Sequence, residues 1–149
     1  MVNSDTPMQT AIKEAIHASQ EGEIPVGAVL VYDGKIVARS GNVTITDHDP
    51  TAHAEINVIR KRCKELGVQR LPDHDLYVTL EPCPMCAAAI SNARIRRVYF
   101  GAYDPKSGGV DHGAKIFTHS QCHHKPDVFG GVEEKTCVEL LKDFFDKRR

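Results

Sequence analysis

Apolar residues recur at 8, 11, 12, 15 and 16, the three-and-four spacing that gathers side chains on one helix face. Thr6, Pro7 and Gln9 form a start signal for that helix: a capping hydroxyl, a proline suited to the first turn and a glutamine that completes a capping box. The polar stretch 20–23 ends it. From 26 to 32 the pattern becomes a continuous apolar run, followed by Asp33-Gly34 and a return over 35–39, which predicts a two-residue hairpin. Residues 42–50 are polar and turn-rich. A second helix is expected after Asp49-Pro50, carrying Ala54, Ile56, Val58 and Ile59 and closed by Gly67. The run 75–80 predicts a third strand. Pro82 breaks it and introduces a helix through Cys83, Cys86, Ala87, Ile90 and Ala93. Residues 97–101 predict a fourth strand. Between 103 and 131 glycine and proline become frequent, and the segment reads as loop with one short helix near 114–118. Residues 133–149 predict a last helix, with Val138, Leu141, Phe144 and Phe145 on its apolar side. Its end, Lys147-Arg148-Arg149, places cations where a helix dipole favours them. A hairpin followed by alternating strands and helices predicts an α/β fold: a mixed sheet with helices on both faces.

Length and charge narrow this picture. The 149 residues suit one domain covering 1–149. No apolar run approaches the ~20 residues of a membrane span, and the first residues lack the basic-then-apolar order of a secretory signal. The expectation is a cytoplasmic protein with no membrane segment. Five cysteines, an odd number, then read as free thiols or metal ligands rather than a disulfide frame. The formal charge of −1 gives no overall attraction to nucleic acid, so any RNA contact must come from local basic patches.

The candidate chemistry lies at two points: His53 with Glu55, and Cys83 with Cys86. One imidazole and two thiols can hold zinc on three sides and leave a fourth position for water, the arrangement of a catalytic site. Cys83 and Cys86, three apart, share a helix face. If Pro82 begins their helix, both thiols lie in its first turn, where free N–H groups favour thiolate. His53 and Glu55 are two apart and point ~160° away from each other on a helix. They serve one site only if the metal sits off the helix N-terminus. Glu55 is then free to move protons. Two other readings stand beside this one: a redox dithiol at Cys83 and Cys86, and a closed structural zinc site with Cys63 or Cys122 as fourth ligand.

The H-x-E and P-C-x-x-C pattern resembles the signature of the zinc nucleobase deaminases. Further segments match in order: IPVGAVLV at 24–31, GN at 41–42, DPTAHAEI at 49–56, LYVTLEPCPMCA at 76–87, RIRRVYFGA at 94–102 and DFF at 143–145. Over the whole chain the pattern is similar to the bacterial tRNA-specific adenosine deaminases, which implies conversion of adenosine to inosine at the anticodon wobble position; a sister deaminase of free cytosine, guanine or a nucleoside would share every metal residue. That resemblance implies a cytidine-deaminase-like three-layer α/β/α fold with a five-stranded mixed sheet. The fifth strand would lie in or after the glycine-rich segment. It also implies a homodimer, one Zn²⁺ per subunit and a tRNA anticodon stem-loop as partner. Carried over by position, His53, Cys83 and Cys86 resemble the zinc ligands and Glu55 the proton shuttle. Asn42 resembles a residue that holds the flipped nucleoside. Ile24, Pro25, Val26 and Ala54 resemble the wall around the base, and Asp104 resembles a contact to flanking nucleotides. Phe144 and Phe145 resemble C-terminal aromatics near the RNA, with Phe145 taken to reach the site. Several of these have plainer roles open to them: core packing for Val26, Ala54, Phe144 and Phe145, and turn formation for Asn42 and Asp104. Arg94, Arg96 and Arg97 suit either a solvated edge or a phosphate patch. The segment around Cys122, His123 and His124 departs from the commonest family version and suits a loop wall, an RNA contact or a second metal site. His17, His48 and His74 read as structural.

Overall fold

The structure, a computed structural model, describes residues 5–148; the sequence readings that involve Met1–Ser4 and Arg149 lie outside them. Helix α1 spans Pro7–Gln20, and its Thr6–Gln9 capping box forms as the sequence dictates. Strands β1 (Gly27–Tyr32) and β2 (Lys35–Gly41) follow, joined by Asp33 and Gly34, both at positive φ (52° and 74°). This is the backbone that a tight hairpin needs and that aspartate and glycine tolerate. Then come α2 (Ala54–Leu66), β3 (His74–Leu80), α3 (Pro84–Asn92), β4 (Arg97–Ala102), a short 3₁₀ turn at Ile116–Thr118, β5 (Asp127–Phe129) and α4 (Glu134–Asp146). Gly67 closes α2 in the left-handed conformation at φ 67°.

The strand order is β2-β1-β3-β4-β5. β1 runs antiparallel to both neighbours, whereas β3, β4 and β5 are parallel. Alternation along the strands divides the interior in two. Ala28 and Leu30 of β1, Leu76 and Val78 of β3, and Val98 and Phe100 of β4 face α2 and α3 with Val58, Ala87 and Ile90. Val29 faces the other way, towards Met8, Ala11 and Ile12 of α1 and Cys137 of α4. Complete burial of a side chain such as Leu76, Ile90 or Phe100 contributes about 1.5–3 kcal/mol. The result is the expected three-layer α/β/α arrangement with a five-stranded mixed sheet.

Five features depart from the sequence expectation. β5 emerges inside the segment that reads as loop, because three residues with one half-buried valine carry no periodicity. It adds to the parallel edge through Val98↔Val128 and Tyr99↔Phe129, extending a ladder of stacked rings, Tyr77–Tyr99–Phe129, at 4.4 and 4.9 Å. Ile16 is 39% exposed rather than buried, since it lines an open groove that α1 shares with Leu140 and Phe144 of α4. Val138 is 43% exposed, because α4 rests on the sheet only through Cys137, Leu140 and Leu141. The starts of α2 and α3 also shift, and they set the geometry of the site.

Candidate active site

α2 begins at Ala54, not after Pro50. Asp49 Oδ1 accepts hydrogen bonds from the Thr51 N–H (2.9 Å) and hydroxyl (2.7 Å), and this turn postpones the helix. α3 begins at Pro84, not Pro82, with the proline at the first helical position where its missing N–H costs nothing. His53 and Cys83 are therefore the capping residues just outside the two helices. Both have extended backbone (φ −70°, ψ 154°; φ −71°, ψ 171°), and neither side chain bonds its own helix end. Glu55 and Cys86 occupy the first turns. The geometric conflict between His53 and Glu55 disappears, because only Glu55 is on the helix.

The two helix N-termini converge. His53 Nδ1 lies 3.6 Å from Cys83 Sγ and 3.5 Å from Cys86 Sγ, and all three ligand atoms fall within 4.8 Å of one another. Zinc at about 2.3 Å from sulfur and about 2.0–2.1 Å from nitrogen, at tetrahedral angles, sets N···S edges of about 3.5–3.6 Å, so the residues fit that ion. Among the described residues no fourth histidine, cysteine or carboxylate joins the group. Cys63 packs at the edge of the α2 core, and Cys122 is turned to Ser91 Oγ (3.3 Å) and the His124 carbonyl (3.1 Å). Neither can close the site, and the second cluster around Cys122, His123 and His124 does not form either.

Electrostatics at the site follow from burial and close packing. The Cys86 thiol donates to Cys83, and this bond, with help from His53, brings the Cys83 thiol down to about 4 while pushing Cys86 up. Two sulfurs whose ionisations oppose each other are what a divalent cation neutralises. Hydrogen bonding to Cys83 raises His53. Burial pushes the Glu55 carboxyl up to about 7, with the charge of Cys83 adding and that of His53 opposing. A buried acid with that value can take and release a proton near neutrality.

The cluster opens into a cavity of about 610 Å³, with His53, Glu55 and Cys83 on its surface. Ile24, Val26, Asn42 and Thr44 form one wall; Leu80, Glu81, Tyr103, Asp104, Lys106 and Ser107 form another; Leu141 and Phe145 close the α4 side. Of the residues singled out from the sequence, Pro25 and Ala54 are buried behind the wall and are not on the cavity surface. Ala54 acts through its backbone: its N–H donates to Asn42 Oδ1 at 2.8 Å. The Asn42 amide is thus fixed with its oxygen against α2, which leaves its NH₂ as the group for the cavity. Asn57 supports this corner by donating to the carbonyls of Gly41 (3.1 Å) and Ala52 (3.3 Å). Asp104 lines the cavity and accepts from the Ser107 N–H (2.9 Å), the turn role open to it from the sequence.

Phe145 lines the cavity and remains 47% exposed, whereas Phe144 meets it edge-on at 5.4 Å and carries the Arg148 guanidinium 4.1 Å above its ring. Arg96 makes a two-pronged contact with Asp75 (3.0 and 2.9 Å), Arg97 stands 4.0 Å from the same carboxylate, and Arg94 bonds the Ser91 carbonyl. Arg96 and Arg97 thus share one carboxylate along this edge, while Arg94 has a carbonyl. His17 and His48 are exposed. His74 is buried between the Arg62 guanidinium and the Pro72 carbonyl, and burial lowers its pKa. Glu81, Thr44, Leu80, Tyr103, Lys106 and Ser107 are cavity residues that sequence reasoning does not single out. None of them stands in a pattern that the sequence makes legible.

Comparison with known proteins agrees with this geometry. A family model, the cytidine and deoxycytidylate deaminase zinc-binding region, matches residues 1–102, which include both ligand-bearing segments. The tRNA-specific adenosine deaminase of Agrobacterium fabrum (strain C58) is 56% identical over 142 residues, 95% of this chain and 93% of its own length. A solved structure from biochemical and structural studies of A-to-I editing by tRNA:A34 deaminases at the wobble position of transfer RNA matches with a TM-score of 0.90 and 57% identity. It covers 91% of this chain and 98% of that one. The guanine deaminase structure from Bacillus subtilis is 45% identical with a TM-score of 0.64, over 68% of this chain and 66% of that one. The chain belongs to the zinc-binding cytidine and deoxycytidylate deaminase family, on the branch of the tRNA-specific adenosine deaminases.

Proposed function

We propose that the protein hydrolytically deaminates adenosine to inosine at the wobble position of tRNA anticodons, with one zinc ion per chain held by His53, Cys83 and Cys86. The observation that carries the reading is Glu55, buried beside the three-ligand cluster on the surface of a cavity large enough for a nucleoside. When bound, zinc supplies the Lewis acidity that brings water towards a pKa of about 7. Glu55 takes one proton of the attacking water and delivers it to the ring nitrogen beside C6 as the water oxygen bonds C6; it then carries the second water proton to the amine, the C6–N bond breaks and ammonia leaves. Asn42 directs its NH₂ at an acceptor of the nucleoside, and Ile24 and Val26 flank the base. Pro25 and Ala54 brace that wall from behind. Asp104 and Phe145 meet the flanking nucleotides.

Exposed rings at the rim, Tyr103 (38%) and Phe145 (47%), offer faces on which unstacked bases can lie, which suits an RNA loop better than a free base. The likeness to a guanine deaminase favours free guanine as a second reading. Two measurements decide. The Glu55→Ala protein should keep its zinc and fold while kcat falls about 10²- to 10⁴-fold; unchanged turnover ends the shuttle role. An anticodon stem-loop with a wobble adenosine should yield inosine; ammonia from free guanine alone would replace the substrate.

We also propose a cytoplasmic homodimer. No helix among the described residues is long and apolar enough to cross a membrane. Met85 and Ala88 are exposed on α3 beside a groove lined by Ala88, Ile116 and Cys122, an apolar surface for a second copy. Sedimentation at twice the chain mass is the expected result, and a monomer would remove the dimer.

A further inference from the structure

We propose that Glu81 is a positioning residue that clasps the substrate-facing loop 103–112 to the metal end of α3; this rests on the adenosine reading above only for its kinetic consequence. Glu81 ends the run from β3 and directly precedes Pro82 and Cys83, and its side chain is fully buried. Five donors converge on its carboxylate. Oε1 accepts from the Asp104 N–H (3.0 Å) and from His112 Nδ1 (2.8 Å). Oε2 accepts from the N–H groups of Val110 (3.2 Å), Asp111 (2.9 Å) and His112 (3.0 Å). These donors come from both ends of one loop, and between them the loop presents Asp104, Lys106 and Ser107 to the cavity. The proposed shuttle and ligands have no use for Glu81, yet one buried anion gathers four backbone amides of an irregular segment that has no sheet partner of its own.

The consequence is geometric. With the loop tied to the residue two before Cys83, the surface that meets flanking nucleotides keeps a fixed position relative to the reacting centre. Loss of the clasp leaves backbone donors without a partner, so the loop opens to water to satisfy them. Substrate then binds to a wall that must first be ordered, which raises KM, while the residues around the reacting carbon are unmoved.

Two variants reach the clasp from opposite sides. Glu81→Gln retains the shape but presents an NH₂ to two or three N–H donors. Gly108→Ala leaves Glu81 intact, but its added Cβ would collide with Glu81 Oε2 and stand 2.5 Å from the Asp104 carbonyl oxygen, forcing the loop away. On the zinc-loaded proteins, the expected result is one zinc per chain and at least ~10-fold faster hydrogen exchange at the amides of 104, 110, 111 and 112. KM for the anticodon stem-loop should rise ~10-fold with kcat within ~3-fold of the parent. Amide exchange reads the clasp whether or not the RNA is turned over, so failure of the adenosine reading shows separately, as an inactive parent. Unchanged protection of those amides in both variants overturns the proposal. So does released protection with an unchanged KM, or loss of zinc with kcat falling and KM constant.

Discussion

His53 and Glu55 differ by two positions, and the helix boundary between them decides what each can do. The imidazole outside α2 reaches sideways to the two sulfurs, and the carboxylate inside it stays buried beside them. The spacing of the ligands makes them legible from sequence, because few other arrangements use one histidine, a carboxylate and a close cysteine pair. Glu81 and Glu23 are not legible: a single acid next to a proline or a strand has no pattern to read. Asn42 serves both fold and cavity through its bond from the Ala54 N–H, so Asn42→Ala removes a cap from α2. It should cost about 1 kcal/mol in urea unfolding, with KM rising alongside. Glu23 gives a pH prediction. Burial alone would raise its carboxyl, but the donors of Thr46, Ile45 and Thr44 outweigh burial and hold it below its ordinary 4.5. A depressed acid stabilises the fold above its unfolded value, and that contribution is lost as pH falls through the lower folded value. The parent should lose thermal stability as pH drops below about 4.5, and Glu23→Gln should be destabilised at neutral pH with a flatter profile in that acid range. Parallel profiles would remove Glu23 from this role.

At the level of elements, the hydrophobic pattern predicts every helix and four strands, and the errors lie where side chains have no periodic partner. β5 is three residues long and α4 is amphipathic on a surface that only partly covers it. Both helix starts at the site lie downstream of the proline that the sequence points to, since a capping residue is defined by backbone shape and here neither cap side chain bonds its helix end. α1 shows how tightly one layer can fit. Ala11 and Ala15 sit directly over Gly27, where an added Cβ would overlap the Ala11 carbonyl oxygen and lie 2.6 Å from the Ala15 nitrogen. Gly41 receives Ala18 in the same way. Gly27→Ala should therefore destabilise by about 1–3 kcal/mol or more by lifting α1 from the hairpin. A shift in the urea midpoint without a change of slope would show it, and an unchanged midpoint would mean the helix slides freely.

Across the whole molecule, charge decides how RNA can be held. A formal charge of −1 gives no long-range pull on a polyanion. Arg96 bonds Asp75, Arg97 stands near the same carboxylate and Arg94 bonds the Ser91 carbonyl, so one acid partly balances the charge of that edge. Among the described residues Lys106 is the one lysine or arginine on the cavity surface, where it shares the walls with Glu55, Glu81 and Asp104. A site of that composition selects an unstacked base by shape and hydrogen bonds and gains little from counterion release. Binding of the anticodon stem-loop should then weaken only gently with salt. The slope of log K against log salt should correspond to a few phosphates at about 0.7 each, and Lys106→Ala should reduce it by about that amount while leaving zinc content unchanged. Titrations across salt concentrations with both proteins test this. A steep slope, or one that Lys106→Ala does not alter, would place the electrostatic contact elsewhere, on a surface that only the paired protomers create.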